Sequence, residues 1–180
     1  MRHNGRSARC VFFDRDGIVN RSPGAGYVTR LEDFHILPEF LRALEVVNRK
    51  GYLAIVVTNQ RGVSLGQMSA ATVEQIHDRL LATVAEQGLR LDAVYYCPHE
   101  DGQCDCRKPA PGMLLRAAEE FGVDLSRSWM VGDSDRDIEA GRAAGCRTVL
   151  VGKESGGSRP DYRLDDISEL PGFLERYLEG

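Results

Sequence analysis

"PEFLRALEVVNRKGYLAIVVTN", Pro38–Asn59, decides the fold. Its first part carries apolar residues at helical spacing, with Pro38 at the start and Gly51 just past the end, the places those residues favour at helix termini. Its second part, "YLAIVVTN", is apolar almost throughout instead of alternating, so both faces of that strand must be covered. Strands buried on both sides and separated by helices make a parallel sheet with a helical layer on each face.

The same alternation extends in both directions. "CVFFD" (Cys10–Asp14), "LDAVYYC" (Leu91–Cys97), "SWMVGD" (Ser128–Asp133) and "CRTVLVG" (Cys146–Gly152) read as strands. "SAATVEQIHDRLLATVAEQG" (Ser69–Gly88), which Ser69 is placed to cap, "PGMLLRAAEEFG" (Pro111–Gly122) and "SDRDIEAGRAAG" (Ser134–Gly145) read as helices. A Gly/Ser-rich loop, Lys153–Pro160, precedes a last helix near Ile167–Leu178. The pattern predicts one three-layer α/β/α, Rossmann-like domain over residues 1–180, with a mainly parallel sheet and a flexible tail over residues 1–8. Ligands of such a domain sit beyond the carboxyl ends of the strands. The irregular connection Asn20–Leu37 follows the first strand, so it should border the site.

With 180 residues, 42% of them hydrophobic, the chain is long enough for one substantial core. Its net charge of −4 argues against a broad basic face for nucleic acid, while leaving room for a small anionic substrate held by a few cations. The basic N-terminus is not followed by an apolar segment of signal-peptide length, and no apolar run is long enough to span a bilayer. A cytoplasmic protein with no membrane or nucleic-acid partner, working as a monomer, is the expectation. Five cysteines, an odd number with three clustered, do not suit a secreted disulfide framework.

Polar clusters fall where the first four strands end: "DRDG", "TNQRG", a Cys/His run and "GDSDRD". Asp14 and Asp16, two apart at a strand end with Gly17 to turn the chain, can approach one point. With Asp133 they make a hard oxygen site suited to Mg²⁺, which keeps several waters and needs few protein ligands. Such a metal would hold an anionic nucleophile beside a phosphate, so that a carboxylate can form an aspartyl phosphate while Asp16 protonates the leaving oxygen and later activates water. Thr58 and Asn59 offer a hydroxyl and an amide, with the N–H groups of Gln60 and Arg61 following, and Lys108 adds a compact positive charge. Asp137, one helical turn past Asp133, can support the metal through water or orient Lys108. Arg15 and Arg61 read equally well as site residues or as surface arginines, and His35 and His77 as structural or solvated. Ser22–Tyr27 forms either a substrate wall or a plain loop.

The ordered set "DRDG", "VTN", "RKP", "GDSDRD" resembles the haloacid dehalogenase-like phosphatase superfamily over nearly the whole chain. The resemblance implies Asp14 as nucleophile, Asp16 as general acid/base, Thr58 and Lys108 as phosphate stabilisers, and Mg²⁺ held by Asp14, the Asp16 carbonyl and Asp133. Dehalogenase members lack the second aspartate of "DRDG", so Asp16 points to phosphate chemistry, and the short connections leave no room for a cap domain. The phrases "GYV", "VVTNQ", "YYCPH" and "RKPAPGMLLRAA" are similar to the branch that holds the heptose-bisphosphate phosphatases, with the histidinol-phosphate phosphatases next. Removal of the 7-phosphate of D-glycero-D-manno-heptose 1,7-bisphosphate is therefore the expected reaction. The short stretch between His99 and Cys104, and Ser134 where some heptose enzymes carry lysine, keep histidinol phosphate as the alternative. A non-catalytic zinc-stabilised binding domain is the alternative of another class.

Cys97, His99, Cys104 and Cys106 give C-x-H-x4-C-x-C, a thiolate-rich set suited to tetrahedral, structural Zn²⁺ with no open position. The run has no core of its own, so zinc would close it, aiming Lys108 at the transferring phosphate and Arg107 at a second substrate anion. Cys10 and Cys146 begin strands and read as small buried hydrophobes.

Overall fold

The structure, a computed structural model, describes residues 7–152 and 156–180. Its strands are β1 (Cys10–Phe13), β2 (Leu53–Asn59), β3 (Ala93–Cys97), β4 (Trp129–Gly132), β5 (Arg147–Val151) and β6 (Tyr162–Leu164). Between and after them run α1 (Pro38–Arg49), α2 (Ala70–Glu86), α3 (Gly112–Phe121), α4 (Asp135–Ala144) and α5 (Leu170–Tyr177). The six strands lie in the order β3-β2-β1-β4-β5-β6, and the five pairings are all parallel. The chain winds from β1 toward β3 on one side and from β4 toward β6 on the other. The carboxyl ends of β1 and β4 therefore flank the point where the winding reverses, which is where an open α/β sheet offers a crevice.

Side-chain alternation divides the core between the two faces. Val11, Phe13, Ala54, Val56, Trp129 and Val131 pack with Phe40 and Leu44 of α1, Ile76 and Leu80 of α2, and Phe173 and Leu174 of α5. Cys10, Phe12, Ile55, Val57 and Met130 face the other way, against Met113 and Leu114 of α3 and Ala140 of α4. Each fully buried Val, Leu or Phe contributes about 1.5–3 kcal/mol, so a strand apolar on both faces stabilises both layers at once. Ser69 caps α2 as its position predicts, its Oγ accepting from Thr72 N at 3.0 Å.

Three features depart from the sequence expectation. β6 extends the sheet by three residues, with Tyr162 and Leu164 turned inward and Arg163 exposed, a stretch too short for a periodicity to register. The last helix starts at Leu170, preceded by a 3-10 turn over Ile167–Glu169. Ala8, placed within the expected tail, is tied down: its N–H donates to Gly122 O at 2.9 Å and its carbonyl accepts from Asp124 N at 2.8 Å. Residues 1–6 of that tail, and Lys153–Ser155 of the Gly/Ser-rich loop, lie outside the described residues. The connections after β1 and β2 fold onto the body with only a 3-10 turn, Leu31–Asp33, and no cap domain rises from either among the described residues. No helix among the described residues is long and apolar enough to cross a membrane.

Candidate active site

Four strand tips converge on an open cleft of about 240 Å³, lined by Asp14, Asp16, Thr58, Asn59, Arg107, Lys108, Asp133 and Asp137, with Ser22 and Tyr27 on the outer wall. Asp14 follows β1 directly, and its N–H donates to Val131 O of β4 at 2.9 Å. Asp133 follows β4 in the same way, so adjacent parallel strands deliver these two carboxylates side by side. Gly17, with φ of +98°, turns the chain beneath them; a Cβ there would lie 2.0 Å from Asp133 Oδ2, a distance no side chain tolerates.

Lys108 is the buried cation of the centre, only 2% exposed. Its Nζ donates to Asp14 Oδ1 and Asp137 Oδ1, each at 2.6 Å, and to Val57 O at 2.8 Å. Burial opposes its charge, but Asp137 and Asp14 outweigh that and hold it above the ordinary lysine value. The side-chain amide of Asn59 brackets the backbone of the same residue, accepting from Lys108 N at 3.0 Å and donating to Lys108 O at 2.9 Å. Lys108 is thus fixed from the sheet side by contacts that do not pass through the Cys/His loop, which changes the role expected of that loop.

Asp137 has both oxygens engaged: Oδ1 on Lys108, and Oδ2 accepting from Ser134 N at 3.1 Å and Ser134 Oγ at 2.8 Å. Asp14, Asp133 and Asp137 carry carboxylate oxygens within 4.8 Å of one another. Because Asp137 is committed to Lys108 and to the start of α4, Asp14 and Asp133 are the carboxylates left to hold a cation. Burial, with Asp137 adding to it and Lys108 opposing, pushes Asp14 up to about 8. Burial and then Asp137 push Asp133 up to about 7. Two neighbouring acids that resist ionisation, Asp14 buried and Asp133 partly so, are the electrostatic setting in which a divalent cation fits, and hard carboxylate oxygens suit Mg²⁺.

Asp16 is held by a different set of donors. Arg15 reaches it through Nε (3.2 Å to Oδ1) and Nη2 (3.1 and 3.0 Å to the two oxygens). Asn20 Nδ2 donates at 2.9 Å and Gln60 Nε2 at 3.0 Å, and Gln60 Nε2 also donates to Thr58 Oγ1 at 2.9 Å. Gln60, expected to touch substrate, is instead fully buried and ties Asp16 to Thr58. Arg61 lies outside the cleft lining, with Nη1 3.8 Å from Asp101 Oδ2. Arg15 is no surface arginine: it has no exposed area.

Cys97, His99, Cys104 and Cys106 gather their ligand atoms within 4.8 Å, as the spacing predicts. Cys106 Sγ stands 3.1 Å from each of the other two sulfurs and 3.4 Å from His99 Nδ1. A tetrahedral ion with Zn–S bonds of about 2.3 Å sets its sulfurs about 3.8 Å apart, so the thiols would open slightly to admit it, and three thiols with one imidazole suit zinc. All five cysteines are free. The loop is seated on α3 by a close approach: a Cβ on Gly112 would lie 2.2 Å from Asp105 O. It also carries Asp101, whose Oδ1 accepts from Arg107 Nε at 2.5 Å and lies 3.5 Å from Arg136 Nη1. Arg107 lines the cleft, a largely buried guanidinium whose Nη1 is enclosed without a hydrogen-bond partner.

Asn20, Asp101 and Arg136 escaped the sequence reading, and His77, read as structural or solvated, is buried against Arg15. Arg136 had a signal, since it follows Asp133 on the first turn of α4 and lines the cleft. Asn20 had a weaker one, four residues past Asp16. His77 had none, because only the packing of α2 brings it to the site.

A family model described as HAD-hydrolase-like matches residues 105–170. Over 146 residues the chain is 42% identical to a D-glycero-β-D-manno-heptose-1,7-bisphosphate 7-phosphatase of Pseudomonas aeruginosa, covering 81% of this chain and 82% of that one. A phosphatase of the same name from Pasteurella multocida is 38% identical over 180 residues, covering 93% and 97%. The crystal structure of a D,D-heptose 1,7-bisphosphate phosphatase from B. bronchiseptica, complexed with magnesium and phosphate, superposes with a TM-score of 0.80 at 33% identity, covering 92% of this chain and 97% of that one.

Proposed function

The chain belongs to the haloacid dehalogenase-like phosphatases, and from that premise we propose that it removes the 7-phosphate of D-glycero-β-D-manno-heptose 1,7-bisphosphate through an aspartyl phosphate on Asp14. The observation that carries the chemical part is the joint engagement of Lys108 with Asp14 and Asp137, which holds one oxygen of a nucleophile that lines the cleft. Asp16 protonates the departing sugar oxygen and then takes a proton from water, held in place by Arg15, Asn20 and Gln60. Thr58 Oγ1 donates to a transferring phosphoryl oxygen, and Lys108, whose three donors are taken by Asp14, Asp137 and Val57 O, offsets the phosphoryl charge beside it. Mg²⁺ bound by Asp14, Asp133 and the Asp16 carbonyl would neutralise the phosphate charge that otherwise repels a carboxylate nucleophile. Zn²⁺ on Cys97, His99, Cys104 and Cys106 would fix the loop that carries Asp101 and leads into Arg107.

The substrate reading is supported by relatives that share the name heptose-1,7-bisphosphate 7-phosphatase and by Arg107, a cation lining the cleft that suits a second substrate anion. Cytoplasmic action as a monomer goes with that reading. The test is phosphate release from both anomers of the heptose bisphosphate and from histidinol phosphate. We expect the β anomer to give the highest kcat/KM; a preference for histidinol phosphate overturns the substrate while leaving the phosphatase. Hydrolysis of none of them returns the chain to the binding-domain alternative.

A further inference from the structure

Arg15 stands between the two motif aspartates with no exposed area, a place where arginine is found only when its donors are taken up. Its Nε and Nη2 serve the Asp16 carboxylate, while Nη1 lies 3.2 Å from His77 Nε2. Guanidinium only donates, so His77 Nε2 accepts and the ring is neutral with its proton on Nδ1. Burial, and then the Arg15 charge, press His77 down to about 3, which keeps the acceptor available at every working pH. His77 comes from α2 and sits edge-on to Tyr96 of β3, ring centroids 5.6 Å apart, while Phe34 covers the guanidinium at 5.8 Å. The guanidinium plane is thus bounded by a neutral acceptor, an aromatic face and the carboxylate it holds. Asp16 itself keeps 19% of its side chain exposed, on the cleft side.

We propose that Arg15 and His77 are positioning residues for Asp16: His77 fixes the guanidinium, and the guanidinium fixes the carboxylate in the orientation that reaches the leaving oxygen. Asn20 and Gln60 bind single carboxylate oxygens from the neighbouring loops, whereas Arg15 grips both and anchors them to α2. The inference rests on Asp16 acting as the general acid. A salt bridge that served stability alone would show no dependence on the leaving group.

The test compares kcat/KM for an alkyl ester, whichever of heptose bisphosphate and histidinol phosphate is turned over, with that for p-nitrophenyl phosphate, whose leaving group departs without protonation. kcat/KM reports the steps through that departure. His77→Phe keeps the ring and removes the acceptor, and His77→Gln restores an amide oxygen. We expect His77→Phe to lower kcat/KM about 10–100-fold on the alkyl ester, the scale of a misplaced catalytic group, and by less than about 3-fold on the aryl ester. His77→Gln should recover most of the loss. Equal losses on the two esters, or none, overturn the proposal. If thermal melting shows that His77→Phe does not fold, Arg15→Lys carries the same comparison, since one ammonium cannot grip both carboxylate oxygens and His77; equal losses there overturn it too. Asp16→Asn is the reference. If it shows no difference between the esters, the acid role fails and takes the positioning role with it; if it shows the difference and His77→Phe does not, only the positioning role fails.

Discussion

Two clusters able to hold a metal sit on either side of Arg107, and they are assembled in opposite ways. The carboxylate centre draws Asp14 from the tip of β1, Lys108 from the loop after β3, and Asp133 with Asp137 from the tip of β4 and the first turn of α4. Asp14, Lys108 and Asp137 are buried and Asp133 partly so, and the geometry of the centre follows from strand register and from hydrogen bonds among its own members. The thiol centre is local: its four ligands fall between Cys97 and Cys106, only Cys97 is buried, and its cysteines rest on the edge of the core beneath α3. The sheet preorganises the first centre through its own register, whereas we expect the second to need a bound ion to hold its shape. Because Lys108 is fixed by Asn59, Asp14, Asp137 and Val57 O, the loop governs Arg107 and Asp101 more than it governs the chemistry.

The comparison breaks first at Asp14. Asp14→Asn should lower phosphate release by more than about 10⁴-fold, the scale on which a missing nucleophile acts, while leaving the zinc content unchanged. Turnover that survives the substitution would falsify the assignment of the carboxylate centre as the chemical centre.

Lys108→Met sharpens it next. The variant leaves Asp14 and Asp137 buried beside each other without their shared cation, a situation that costs about 3–5 kcal/mol. Urea unfolding in Mg²⁺-free buffer should record that loss, and the double variant with Asp137→Asn should recover part of it. Additive losses would mean the two residues do not act on one another as the 2.6 Å contact implies.

Cys106→Ser acts on the other centre, and the expected signature is different in kind. Zinc content measured by atomic absorption should fall to none. KM for the bisphosphate should rise about 10-fold, the worth of one charge-assisted hydrogen bond lost at Arg107, with kcat within about 3-fold of the parent. A kcat that collapses while KM holds would return Lys108 to the control of the loop.

The same contrast explains what could be read from sequence. The layered sheet was legible because Val11–Phe13, Ala54–Val57 and Trp129–Val131 are apolar on both faces, and the Cys/His cluster because residue type limits chemistry; of the three aspartates read as one oxygen site, Asp14 and Asp133 meet beside Asp137, while the Asp16 carboxylate turns to Arg15, Asn20 and Gln60. Asn59, Gln60 and Arg61 were placed on the site from position alone, and position does not tell which way a side chain turns. Asn59 turns to the Lys108 backbone and Gln60 to Asp16, while Arg61 turns toward Asp101. His77 lay beyond reach, since its partner is reached only after α2 packs on the sheet. β6 was missed because three residues at a sheet edge, of which one is an exposed arginine, carry too little pattern.

The smallest effect separates the two centres by the sign of a pH dependence. Asp14 is raised to about 8 and Asp133 to about 7 against an ordinary carboxyl value of 3.8, so the folded chain binds these protons more tightly than the unfolded one. Their contribution to stability is fully present below about pH 4 and is lost as pH rises through 7 to 8. The surface carboxyls of Asp101, Asp166 and Glu175 and the half-buried Asp124 are held below their ordinary values, so what they contribute is lost only in acid, outside this window. Zinc-loaded, Mg²⁺-free protein should therefore show a Tm that falls between pH 5 and 8 by on the order of 5 °C. Asp14→Asn should flatten the slope, and Mg²⁺ added at pH 8 should restore the wild-type Tm by taking the place of the protons. At the thiol centre the sign is reversed, because thiolates must lose protons to hold zinc: lowering the pH below 6 should release zinc while the carboxylate centre grows more stable. If Mg²⁺ leaves the wild-type slope unchanged, the cation does not reside on Asp14 and Asp133, and the division of labour between the two centres has to be redrawn.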